Sequence, residues 1–432
     1  MLIQFSVKNF LSFRDSQALS LVRAKGDELA ASNTFQVDVL GKASLLRSAV
    51  IYGPNASGKS NFLSALQTMR QIVMESAAEL QPGEKLPVAP FRLSQAARNE
   101  PSEFEAIFIT DNIRYQYGFA VTEDRVIEEW LMAFPKGRLQ QWLLRTWDEE
   151  KESYDWRLGS NLAGEKKIWK ATTRDNALFL STAVQLNSEQ LRPIYDWFKQ
   201  TLRTVNITAW HSSYSAHLCA VDKNEKQRIV DFLHVADLGI HDVEVKEKLF
   251  ENEGLPNYWP DTLKKGVGQV IQGRQTLEIK TLHLDSKGEA QFFDFKDESH
   301  GTQKMFALAG PWIDSLDNGY ILFIDELNDS LHPHMLRFLV NLFNSKSNTK
   351  NAQLVFTTHE TSILHQTLLR RDQIWFCEKD RENASKVYPL TDFSPRKGRE
   401  NLEQAYLSGR YGSLPYVKPF ENNLTRNSNG DG

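Results

Sequence analysis

Apolar residues follow two spacings along the chain, one suited to strands and one to helices. Residues 2–8 and 17–22 predict two short strands around a turn at Ser12–Asp15. The apolar, β-branched run Ser48–Tyr52 predicts a buried strand. It stops at Gly53, and SNFLSALQTMRQIVMESAAEL then sets Phe62, Leu63, Leu66, Met69, Ile72 and Val73 on one helical face. Between about 103 and 134 the pattern becomes alternation, in FEAIFIT, YQYGFAV and VIEEWLMAF, which predicts antiparallel strands.

Residues 135–175, rich in Trp, Lys, Arg and Glu, read as a continuation of that β region with long loops. Helices are expected over 188–204 and 222–237, and 251–275 reads as loop. LEIKTLHLD and AQFFDF predict strands before a helix opening at Ser299. Beyond it, YILFID, QLVFTT, QIWFCEKD and SKVYPL predict strands, with HPHMLRFLVNLFN and TSILHQTLL as helices. Such alternation predicts an α/β fold with a mostly parallel core sheet, an antiparallel β subdomain and a short helical insertion. The expected units are 1–185 with the Gly53 loop, an insertion over 186–275, a second half over 276–417, and a disordered polar tail over 418–432. No internal repeat or sustained heptad pattern is present.

Composition narrows the function classes. A 432-residue chain with 41% hydrophobic and 25% charged residues is ordinary for a globular protein. Its net charge of −4 gives no global argument for nucleic-acid binding, although a local basic patch stays open. Cys219 and Cys377 lie far apart in no metal-ligand spacing, as expected of buried thiols in a reducing cytoplasm. No signal peptide is evident, and no apolar run approaches the roughly 20 residues that cross a bilayer, so no membrane role is expected.

Chemistry concentrates in four places. Gly53, Gly58, Lys59 and Ser60 match G-x-x-x-x-G-K-[ST], within the loop Gly53, Pro54, Asn55, Ala56, Ser57, Gly58, Lys59, Ser60 and Asn61. The glycines let backbone N–H groups turn toward a phosphate, and the following helix presents its positive end. Lys59 would reach the β- and γ-phosphates of ATP, and the Ser60 hydroxyl would ligate Mg²⁺. A glycine turn with an exposed lysine is the bland alternative, and the flanking strand and helix argue against it. Second, YILFIDE is an apolar strand ending in two carboxylates, the arrangement called Walker B. Asp325 would hold Mg²⁺, and Glu326 would orient or deprotonate the attacking water. A solvated acidic turn reads the same in isolation.

Third, His359 closes the next strand, where it could sense a γ-phosphate. His332 and His334 flank a proline at i, i+2, a spacing that argues against metal ligation, and His365 has a weaker claim. Fourth, Ser299, Gly301 and Thr302 open an amphipathic helix, either an ordinary cap or a second anion site. As an anion site it would have no phosphate of its own, and would serve the ATP of a second, head-to-tail subunit.

This order of motifs resembles the ABC-type ATPase heads of the SMC and RecF families. GPNASGKSN is similar to their phosphate loop, ESHGTQ to their signature, ILFIDE to their Walker B, LND to their D-loop and FTTH to their switch histidine. The resemblance implies D-loop roles for Asn328 and Asp329. Glu298, His300 and Thr302 depart from the transporter signature and fit better the S-x-G-T form of OLD-like ATPases of phage-defence systems. FSVKNFLSF, DELNDSLHP and AYLSGRYGSLP are also similar to that group. A glutamate plus D-x-D cluster of a TOPRIM nuclease is not found, so the chain looks like the stand-alone ATPase subunits of PARIS- and RloA-type systems. The resemblance implies a homo-oligomer with ATP at its interfaces, controlling a separate, TOPRIM-like effector in response to a phage protein. A RecF-like, ATP-dependent DNA-binding protein of repair or restriction is the alternative.

Overall fold

In the computed structural model, the residues described are 1–206, 212–236, 239–249, 275–396, 398 and 400–415. Two sheets carry most of them. The strand Leu2–Lys8 pairs antiparallel with Gln17–Ser20 on one side and Ser102–Thr110 on the other. From there a meander continues through Ile113–Val121, Val126–Phe134, Gln140–Asp148 and Ser153–Leu158, giving seven strands. Alternation of buried and half-exposed residues along Ser102–Thr110 reflects one face turned to the core.

The second sheet has six strands, in the order Leu202–Asn206, Ile321–Asp325, Gln353–Thr357, Ser48–Tyr52, Ile374–Lys379 and Ser385–Pro389. The first five run parallel and the last antiparallel. Ser48–Tyr52 is buried throughout because helices and the other sheet cover both faces. Ala49 and Ile51 join Phe62, Leu66 and Trp197 in one core, while Val50 and Tyr52 join Phe306, Leu336 and Phe376 in a second. The helix Lys59–Glu75 buries the expected face, Phe62, Leu63, Leu66, Met69, Ile72 and Val73.

Two expectations are corrected. The helix expected over 188–204 reduces to Arg192–Asp196 and a π-helical turn, Trp197–Thr201, after which Leu202–Asn206 is a strand. This strand forms the edge of the core sheet, paired parallel with Ile321–Asp325. TSILHQTLL is not a helix either, because only Thr361–Ile363 forms a 3₁₀ turn. Ile363, Leu364, Leu368 and Leu369 are buried all the same, with the Thr367 N–H capped by His365 Nδ1 at 3.2 Å. Lys166–Thr172 is a helix within the stretch read as β region and loops. Ala30–Asn33, Phe179–Gln185, Ser213–Val221 and Leu402–Leu407 are helices for which the sequence carried no expectation.

Ser213–Val221 and Lys223–Val235 pack on the long helix His300–Asn318. Asp222 caps the second of them, accepting from the N–H groups of Asn224 and Glu225. Beside them Asp242–Leu249, Gln275–Leu284 and Ala290–Asp294 form an antiparallel three-stranded sheet. Most of the loop expected at 251–275 and all of the expected tail at 418–432 lie outside the described residues. No helix among the described residues is long and apolar enough to cross a membrane.

Candidate functional site

The loop after Ser48–Tyr52 is built so that only small residues fit. A Cβ on Gly58 would stand 2.2 Å from Ser385 Oγ and 2.8 Å from Ser12 Oγ, and its φ of 114° is left-handed. Ser385 Oγ donates to the Ser57 carbonyl at 2.5 Å, and Asn61 Nδ2 donates to Ser12 Oγ at 2.8 Å. The turn after the first strand therefore braces the loop from one side and the last core strand from another. Lys59 is buried, and its ammonium donates to the carbonyls of Gly53 at 2.8 Å and Pro54 at 3.0 Å. Burial lowers its pKa, opposed by Cys377, Asp325 and Glu326. The Ser57 hydroxyl is buried with no hydrogen-bond partner among the described residues. A loop with a desolvated cation and an unsatisfied hydroxyl suits a bound polyanion.

Asp325 and Glu326 stand at the end of Ile321–Asp325, two strands from Ser48–Tyr52 in the core sheet. Thr357, at the end of the strand between them, donates its hydroxyl to Asp325 Oδ1 at 2.6 Å. The Thr357 hydroxyl oxygen in turn accepts the Glu326 N–H at 2.7 Å. Glu326 has a φ of 50°, a left-handed conformation uncommon outside glycine. Its side chain is exposed, with Oε1 3.7 Å from His359 Nε2, an electrostatic contact rather than a hydrogen bond. Burial lowers the His359 pKa, Lys59 adds to the shift, and Glu326 and Asp325 oppose it.

The segment after Glu326 is tied to the same strand end. Asn328 Oδ1 accepts from Thr358 Oγ1 at 2.8 Å and from the His359 N–H at 3.3 Å. Asp329 pairs with Lys304 at 3.1 Å, which joins this turn to the helix His300–Asn318. That helix is capped by Ser299, whose Oγ accepts the Thr302 N–H at 3.1 Å. Glu298, just before it, is held by Thr281 Oγ1 at 2.5 Å and His283 Nε2 at 2.7 Å. Ser299 is exposed and Gly301 half-exposed, and a Cβ on Gly301 would meet the Ser330 carbonyl at 3.1 Å. No hydrogen bond or ion pair among the described residues joins Ser299, Gly301 or Thr302 to residues 53–61.

The loop, the paired acids and His359 thus converge at the C-terminal ends of adjacent parallel strands, where ligands of open α/β sheets bind. Asn328 and Asp329 flank them, while exposed Ser299, half-exposed Gly301 and buried Thr302 open a different helix. His332 and His334 stack at 5.2 Å, and His332 Nδ1 caps the helix Pro333–Phe343, a structural role. Sequence reasoning missed Thr357, Thr358 and the Ser12–Ser385 brace. The hydroxyl pair before His359 was the one available signal.

The family profile described as "AAA domain, putative AbiEii toxin, Type IV TA system" matches residues 48–365, from the strand before the loop to just past His359. No curated protein matches the sequence significantly. Among solved structures, the chain is similar to the SMC head domain from Thermotoga maritima, at 13% identity and a TM-score of 0.39, covering 90% of this chain and 98% of that one. An Smc head domain with an extended coiled coil, bound to the C-terminal domain of ScpA derived from Pyrococcus furiosus, is similar at 14% identity and 0.34, covering 90% and 96%. The recombination mediator protein RecF bound to ATP is similar at 14% and 0.33, covering 84% and 94%.

Proposed function

Because the chain belongs to the AAA-domain family whose description reads "putative AbiEii toxin, Type IV TA system", we propose that it is a slow, regulatory ATPase of an antiviral, abortive-infection system. Its nucleotide lies between two copies of the chain in the cytoplasm. Turnover controls a separate effector, a TOPRIM-like nuclease, in response to a phage protein. The observation that carries this reading is the convergence of buried Lys59, Asp325, Glu326 and His359 at one end of the core sheet.

Residues Gly53, Pro54, Asn55, Ala56, Ser57, Gly58 and Asn61 form and brace the phosphate cradle. Lys59 neutralises the β- and γ-phosphates. Ser60 and Asp325 offer two hard oxygens, which fits Mg²⁺, a cation that completes its shell with phosphate and water rather than a protein cage. Bound there, the ion would neutralise charge on the phosphates.

Glu326 orients the water and takes its proton as the water oxygen bonds to the γ-phosphorus and the bond to ADP breaks. His359 reads the γ-phosphate, and Asn328 and Asp329 relay its position toward the partner copy. Ser299, Gly301 and Thr302 of that copy complete the site. The test is Glu326→Gln, which should hold ATP through gel filtration yet release no phosphate; undiminished turnover would sink the assignment. In cells, Lys59→Ala should abolish protection against phage.

A further inference from the structure

Among the described residues, the strand Ala290–Asp294 is an edge of the three-stranded sheet, paired with Gln275–Leu284 on one side. An open edge offers unpaired N–H and C=O groups to any extended chain, and proteins commonly blunt it with proline, lysine or a covering element. Here four of five residues are exposed, with Phe292 and Phe293 keeping 54% and 47% of their surface in water. Leu284, on the neighbouring strand, is 47% exposed. Beside this apolar edge opens a pocket of about 350 Å³, with His283 and Phe293 on its wall and Asp285, Asp297 and Glu298 around it. Among the described residues, neither lysine nor arginine lines it.

We propose that this edge is a docking site for an extended segment of a partner protein that carries both apolar residues and lysine or arginine. Strand addition satisfies the open backbone groups, and the period of two sends alternate side chains to opposite faces. Phe292 and Phe293, adjacent in the strand, face opposite sides. Apolar side chains cover Phe292 on one face, while on the other face Phe293 and the pocket take apolar side chains and Asp285, Asp297 and Glu298 take basic ones. A second copy of this chain is the poorer occupant, because edge-to-edge pairing would bring the same carboxylates together. The surface borders the helix capped by Ser299, yet it stands independently of what nucleotide turnover is for.

The probe is a displayed library of random linear peptides, selected on the full chain. The enriched peptides should combine apolar residues with lysine or arginine. They should bind Phe293→Ser and Asp297→Lys about tenfold or more weakly than the parent chain. Both positions are exposed, and unchanged melting curves would separate lost docking from lost folding. Enrichment of acidic peptides, or equal binding to both variants, overturns the proposal. So does a parent chain whose self-association is lost in Phe292→Ser without any peptide, since a second copy would then occupy the edge.

Discussion

Thr357 and Asp325, on neighbouring parallel strands, are joined by a 2.6 Å hydrogen bond in which the threonine hydroxyl donates to the carboxylate. The same hydroxyl accepts the Glu326 N–H at 2.7 Å, so one buried side chain sets both acids. Thr357→Val keeps the shape and removes both bonds. Groups that orient a metal-binding carboxylate are commonly worth about ten- to a hundredfold in metal affinity or activity. The expected result is a fall of that order in kcat and weaker Mg²⁺ dependence, with Thr357→Ser close to the parent. Equal turnover in the valine variant would show that the acids hold their places unaided.

The imidazole of His359 should stay neutral below the range in which a free histidine protonates, because burial and Lys59 both disfavour its charge. The unfolded chain, with an ordinary histidine near 6.5, binds more protons in that window. This group's contribution to stability is therefore complete above the ordinary value and is lost as pH falls through the window. Following the ring-proton resonance with pH should show Lys59→Met moving the titration up and Glu326→Gln moving it down. A Lys59→Met variant that leaves the titration in place would remove the lysine from the surroundings of His359.

A second pair, Ser215 and Ala307, explains how a proline is carried inside the helix that Ser299 caps. Pro311 has no N–H for the Ala307 carbonyl four residues earlier. Ser215 Oγ donates to that carbonyl at 3.3 Å and accepts the Gly310 N–H at 3.0 Å. Gly310 permits the approach, since a Cβ there would lie 2.9 Å from Ser215 Oγ and 3.1 Å from Ser215 Cα. Ser215→Ala should cost about 1–3 kcal/mol in urea unfolding by stranding buried backbone groups. Adding Pro311→Ala should return part of that loss. Additive losses in the double variant would show the two positions to be uncoupled.

The strand, loop and helix around GPNASGKSN and the strand ILFIDE with its terminal acids were legible because each is contiguous in the chain. Leu202–Asn206 was not, because its conformation comes from pairing with Ile321–Asp325 far along the chain. The role of Thr357 was hidden for a related reason. Only the register that sets Ile324 beside Phe356 brings its hydroxyl to Asp325. TSILHQTLL misled because apolar residues at helical spacing were buried by irregular turns, and burial is what periodicity reports.

The separation of Ser299 from the phosphate loop makes a prediction about mixing. The cap of the helix His300–Asn318 is tied to its own chain by Glu298 on one side and the Lys304–Asp329 pair on the other. Ser299 is exposed and Gly301 half-exposed, and among the described residues the Ser299 hydroxyl bonds within its own turn to Thr302 rather than to the loop. If each nucleotide site combines the loop of one copy with the signature of another, Lys59→Ala and Ser299→Arg should each be inactive alone. In a mixed pair, one site carries both lesions and the other carries neither. Mixing the two purified variants should therefore restore phosphate release, rising with the fraction of mixed pairs. Mixtures as inactive as their components, in samples shown by mass measurement to have exchanged subunits, would place the signature in the service of its own chain.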